Sequence, residues 1–177
     1  MILRTIPKPL DGEFAPYAIM YIGLLPDDGL VLSHMQDNLK IITDLVRPLS
    51  ESQLTTPFAQ GEWTIKEILL HIIDDERIYA YRALRAARND QTELPGFDQD
   101  LFTTYSGANQ RSLESLFEEY ASVRAATITF FNNVPDEALT RASIANGHAM
   151  SVRAAAYHIA GHELHHLNSI KQNYLKS

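Results

Sequence analysis

Apolar residues along most of the chain recur three and four positions apart, the period of a helix with one buried face, and a period of two never persists. Leu32, Met35, Leu39, Ile42 and Val46 keep this spacing. Asp27 and Asp28 ahead of them can cap, so a helix is predicted from there through Arg47, ended by Pro48. Ile65, Ile68, Leu69, Ile72, Tyr79 and Leu84 mark a second helix to about Arg88. Its start carries Thr64 and Glu67 in capping-box spacing, with Trp63 placed to staple the first turn. A third, from about Gln110 to Asn133, shows Leu113, Leu116, Phe117, Tyr120, Val123, Thr127 and Phe130 as its stripe. Ser151 caps a fourth that runs to about Leu175.

The segments between are read by their breakers. Leu49 to Gly61, with Pro57, is predicted as a loop. Asn89 to Asn109 is a long polar connection, a length that marks a functional or partly helical loop. Asn146-Gly147 marks a tight reversal able to close a small hairpin between Thr140 and Met150. Residues 1–26 hold four of the eight prolines and read as an extended arm. Tyr17, Ile19, Tyr21 and Ile22 give that arm an apolar side, suited to packing on the bundle or covering a neighbouring subunit. The expectation is an all-α four-helix bundle over residues 27–177, preceded by this irregular arm.

At 177 residues, 45% hydrophobic and 21% charged, the chain suits one domain with one buried core. Its net charge of −7 argues against nucleic-acid binding, which needs clustered Lys and Arg. No apolar run approaches a membrane span, and no signal peptide is evident, so a cytoplasmic protein is expected. With no cysteine, disulfides and thiolate sites are excluded, and any metal must be held by His, Asp, Glu or water.

Four of the seven histidines fall in the last helix, as His158, His162, His165 and His166. His158, His162 and His166 are one turn apart in succession and share a face, while His165 is turned about 100° from His166. The pair His162 and His166 has a known ligand spacing, and His158 suits pocket lining. On the second helix His71 borders the apolar stripe, with Asp74 and Asp75 at i+3 and i+4. A carboxylate beside a ligating imidazole fixes its tautomer. His71 with His162 and His166 would give three nitrogens and leave an open position, the pattern of a catalytic site. Spacing alone leaves hydrogen-bonded core histidines equally open. His34 and His148 have no partner visible in the sequence and are placed on the surface or at caps.

His162 to His166 also reads H-E-x-x-H, the zinc-protease signature in which the Glu activates water. The residues beyond it disagree: Leu167, Asn168 and Ser169 bring neither Gly nor a third His, and no acid follows Glu163.

Gly61-Glu62-Trp63-Thr64-Ile65-Lys66-Glu67, His71-Ile72-Ile73-Asp74-Asp75-Glu76 and Tyr157 to His166 resemble the DinB-like superfamily, most of all its YfiT-like (DinB_2-type) branch of metal-dependent hydrolases. The resemblance spans roughly Leu30 to Leu175 and leaves the Pro-rich arm unmatched. It implies a four-helix bundle, often a homodimer, binding a divalent metal through His71, His162 and His166. It also implies activity on a small molecule through a metal-activated water or low-molecular-weight thiol, as a hydrolase or thiol S-transferase. The alternative of another class is a non-catalytic metal-binding or stress-response module of the same fold. Imidazole donors suit Zn²⁺ or Ni²⁺, with Fe²⁺ and Cu²⁺ also compatible. Asp74, Asp75 and Glu163 are the carboxylates that could orient a ligand or take a proton, each also readable as a solvated helix residue. Arg82, Arg124 or Arg153 could receive an anionic substrate, surface ion pairing being their more common fate.

Overall fold

The computed structural model describes residues 2–175. Met1 of the predicted arm and Lys176 and Ser177 of the predicted bundle lie outside the described residues. The helices are α1 (Ile19–Ile22), α2 (Val31–Val46), α3 (Glu51–Thr55), α4 (Ile65–Ala87), α5 (Gln99–Tyr105), α6 (Leu113–Asn133) and α7 (Val152–Ser169). A two-stranded antiparallel ribbon, β1 (Ala142–Ala145) and β2 (His148–Ser151), precedes α7. The long helices α2, α4, α6 and α7 form the four-helix bundle. Each packs on two others, in the ring order α2, α7, α4, α6.

Local chemistry sets most boundaries. The α4 start is a complete capping box, with Thr64 accepting from the Glu67 amide and Glu67 accepting from the Thr64 amide. Ser112 caps α6 and Ser151 caps α7. The hairpin turns on Asn146 and Gly147, both at positive φ (52° and 75°), as a tight primed turn requires. The first bundle helix begins later than its aspartates suggest. Gly29 sits at φ +74° and breaks the run, while Asp28 accepts from the Leu30 amide and pairs with His34 at 2.9 Å. Two further helices occupy segments predicted as connections. Ser50 and Gln53 form a capping box for α3 in the segment predicted as a loop, and Asp98 caps α5 within the long polar connection.

The arm folds back onto its own bundle. Ile6, Ala18, Ile22 and Leu25 are buried with α2, α4 and α7. The segment predicted as extended includes a 3-10 turn at Pro16–Ala18 and the short α1.

The apolar core is divided. One cluster joins the arm, the start of α2 and the ends of α4 and α6 to the start of α7. The other joins the opposite ends of the same four helices. Between them runs a buried polar layer: Asn38, Asp75, Glu76, Arg124, His162 and Glu163. Burying so many polar groups costs free energy unless they are paired, so each needs an account.

Candidate metal centre

Helices α4 and α7 run antiparallel. His71 meets His162 and His166, and one turn on, Asp75 meets His162 and His158. Two turns on, Tyr79 stacks on His158 at 3.6 Å between ring centroids. His71, Asp75 and Tyr79 follow one another at i, i+4 and i+8, and so do His158, His162 and His166. Two single-face rows are thereby zipped together.

Nε2 of His162 lies 3.0 Å from Nε2 of His71 and 3.1 Å from Nε2 of His166. The three ligand atoms all fall within 4.8 Å of one another. Three nitrogens about 2.05 Å from one tetrahedral ion would stand about 3.3 Å apart, so this cluster has the dimensions of a metal-binding face. Its protonation agrees. Burial lowers the pKa of His71, takes His162 down to about 3 against the opposing pull of Asp75, and holds His166 well below the usual range. At neutral pH the three rings are uncharged, each with one lone pair to offer. The donor set therefore fits a divalent transition metal.

Asp75 stands behind the row. Its Oδ2 is 3.3 Å from Nδ1 of His162 and 3.4 Å from Nε2 of His158. Burial opposes its ionisation, but the neighbouring imidazoles outweigh burial and hold the carboxyl below the ordinary range. An anion at Nδ1 keeps the ring proton there and turns the Nε2 lone pair toward His71 and His166. The i+4 spacing suggested that Asp75 serves His71. Across the helix interface it serves His162 instead.

Aromatic rings wall the cluster. Trp63 lies 4.7 Å from His71, and Tyr21 of α1 presents its face or edge to His158, His162 and His165 at 5.1–5.3 Å. Tyr21 can come this close because α7 has Gly161 there; a Cβ at that position would overlap the Tyr21 carbonyl. On one side opens a cavity of about 140 Å³, bordered by Tyr17, Tyr21, Asp75, Tyr79, Arg82 and His158. A second, of about 330 Å³, opens beside Trp63, Asp100, His165 and His166. Gln99 of α5 borders both. Sequence reasoning missed Tyr21 and Tyr79 as site residues. Tyr79 was legible as the i+8 successor of His71, whereas nothing local ties Tyr21 to α7 except the glycine opposite it.

The other carboxylates go elsewhere. Asp74 is half-buried, 3.6 Å from Arg77, and burial raises its carboxyl. Arg77 continues to Glu119, which also takes Arg111, so Asp74 belongs to a row facing α6. Glu163, next to His162 in sequence, is fully buried with its carboxylate accepting from Tyr120 and 3.0 Å from Arg124. Arg124 also holds Glu76 through Nε at 3.0 Å and Nη2 at 2.8 Å, and donates to the Met35 carbonyl. Burial outweighs the pull of Arg124 and pushes Glu163 toward its neutral form, which balances two carboxyls against one guanidinium. This corrects the surface pairing expected for Arg124. It also places Glu163 in a buried network away from the histidine nitrogens, unlike the glutamate of an H-E-x-x-H protease. His165 is half-buried against Tyr21 and His166, and His148 is exposed.

Comparison with known proteins places this fold among relatives, and the stretch that the family model matches includes the three histidines. The family model described as the DinB superfamily matches residues 34–170. The chain is 25% identical over 131 residues to a protein of Oceanobacillus iheyensis named "Putative metal-dependent hydrolase", covering 72% of this chain and 74% of that one. Its fold is similar to that of a Bacillus subtilis protein, with TM-score 0.75, 13% identity, and 85% of this chain and 89% of that one covered. That structure is described as "YfiT from Bacillus subtilis is a probable metal-dependent hydrolase with an unusual four-helix bundle topology".

Proposed function

Because the chain belongs to the DinB superfamily, we propose that it is a metal-dependent enzyme acting on a small molecule, with His71, His162 and His166 holding one divalent ion, Zn²⁺ or Ni²⁺ before Fe²⁺. The observation that carries this reading is the convergence of three neutral imidazole Nε2 atoms beside an open cavity. A bound ion would supply a Lewis acid that lowers the pKa of a water or of a low-molecular-weight thiol, giving a nucleophile near neutral pH.

The chain's own residues set up that chemistry. Asp75 is a positioning residue, fixing the His162 tautomer from behind. His158 is buried at the cavity wall, its Nε2 3.4 Å from Asp75 and neither ring nitrogen hydrogen-bonded among the described residues, and we assign it the movement of a proton to and from the nucleophile. Tyr21 and Trp63 keep water from the ligand rings, and Tyr79 covers His158. Asp74 and Glu163 are occupied by Arg77 and by Arg124 with Tyr120, and take no part. The exposed Ile19, Met20 and Leu24 on the arm support a homodimer formed through that face.

Protein purified without an affinity tag should contain about one metal ion per chain by elemental analysis, and His166→Ala close to none. A panel of esters, amides and thiol-transfer substrates should show turnover that disappears in the same variant. Wild type free of metal under metal-replete growth would overturn the reading. Full metal content without turnover of any class would leave a non-catalytic metal-binding module in its place.

A further inference from the structure

Three arginines are candidates to receive an anion, and two are already committed. Arg124 holds Glu76 and Glu163. Arg153 holds Glu13 through Nε at 2.8 Å and through Nη2. Arg82 is different. It is 5% exposed, yet no carboxylate pairs with it among the described residues. Among the described residues its side chain makes one hydrogen bond, from Nη2 to the Pro95 carbonyl at 3.0 Å. A guanidinium has five N–H donors, so most of its capacity is unused.

The group is nonetheless held in place. Its guanidinium carbon lies 4.9 Å over the Tyr79 ring and 5.9 Å over the Phe97 ring. Two aromatic faces and one carbonyl therefore fix the plane of the fork without neutralising it. Arg82 also lies eleven residues beyond His71, about three turns, so both stand on one face of α4, roughly 16 Å apart along its axis. Between them that face carries Asp75 and Tyr79, and all of these except His71 border the same cavity as His158 and His162.

We infer that Arg82 anchors the carboxylate of a small, elongated substrate whose reacting end lies at His71, His162 and His166. The inference rests on the metal-enzyme reading for the second end only. A buried cation with no counter-ion favours an incoming anion, because desolvation of the cation has already been met in folding. A carboxylate matches the planar fork in two-point geometry. A phosphate dianion would bring two negative charges to one guanidinium in a cavity that Asp75 also borders, so a single negative charge is the better match.

The test is calorimetric titration of the metal-loaded protein with 4-hydroxybutyrate, 5-hydroxypentanoate and 6-hydroxyhexanoate, and with the neutral amide of each. At least one carboxylate should bind, with its amide and inorganic phosphate weaker. Arg82→Gln should weaken that carboxylate by roughly 10- to 100-fold, the range for losing a charge-assisted pair, and Arg82→Lys should fall between. Metal content and helical circular dichroism, unchanged in both variants, separate this effect from misfolding. Carboxylates that bind Arg82→Gln as well as wild type, amides that bind equally, or no binding at all would overturn the inference. Phosphate binding tightest would overturn the choice of a carboxylate. Arg82-dependent binding to wild type that holds no metal would leave this inference standing and remove the metal reading. Stoichiometric metal with binding indifferent to Arg82 would do the reverse.

Discussion

Two polar clusters sit side by side in the same buried layer, built from sequence neighbours that point to different sides of their helices, about 100° apart. Asp75 and His162 face the histidine row; Glu76 and Glu163, the very next residues, face Arg124 and Tyr120. The second cluster is paired internally: Arg124 directs its donors to Glu76, Glu163 and the Met35 carbonyl, and Glu163 drifts toward neutrality to balance the charge, with only its Oε2 lacking a partner among the described residues. The first is open. Its three Nε2 lone pairs converge on one another, and no arrangement of protons on neutral rings satisfies all of them. The contrast teaches that burial and charge alone do not mark a reactive site. Unspent donor capacity aimed at one point does.

Breaking the paired cluster should give the largest loss of stability. Arg124→Met leaves two buried carboxyls without their cation and should destabilise the protein by about 3–5 kcal/mol in urea denaturation. The metal content of the folded fraction should be unchanged, and a loss of metal at constant stability would mean that the two clusters are not separate. Asp75→Asn acts on the open cluster. It should weaken metal binding by roughly 10- to 100-fold in competition with a chelator, through the freed His162 ring. Full affinity in that variant would show that Asp75 does not orient the ligand.

Acid provides the finest probe. Burial lowers the pKa of His71, His162 and His166 from 6.5, so the unfolded chain takes up protons before the folded one. Their contribution is complete above about pH 6.5 and is lost as pH falls toward the folded values, about 3 for His162. The slope is about 1.4 kcal/mol per pH unit for each imidazole involved. Glu163, raised above 4.5, works in the opposite sense, since the folded state takes its proton first. Thermal melts of metal-free protein across this window should therefore fall with acid, and His162→Ala should flatten the fall. An unchanged slope in that variant would place the acid sensitivity outside the histidines.

The bundle was legible because long helices advertise their period and their caps. Thr64 with Glu67, Ser151 and Asn146-Gly147 act where they stand. The short helix α3 was not legible, and α5 only as partial helicity of a long connection, since five or seven residues give too few turns to show a stripe, although Ser50, Gln53 and Asp98 were there to cap them. The same division holds at the site. His162 and His166 are joined by one turn of helix, so spacing finds them. Asp75 and Arg124 find their partners on other helices, and only the register between helices decides which. Arg124 continues the stripe of α6 after Tyr120, but its charge directs a sequence reading toward solvent, and its two counter-ions lie 48 and 39 residues away on α4 and α7.

Gly161 carries a consequence for how the protein could diversify. By leaving out a single methyl group, α7 lets the arm lie directly against it and set Tyr21 over the imidazoles. Tyr17 and Tyr21 precede the stretch that the family shares, residues 34–170, which contains all three histidines. The candidate ligands and the residues that cover them thus lie in different parts of the chain. New sequence before residue 34 can reshape the entrance while the histidines stay as they are, and a bulkier residue at 161 would uncouple the two in one step.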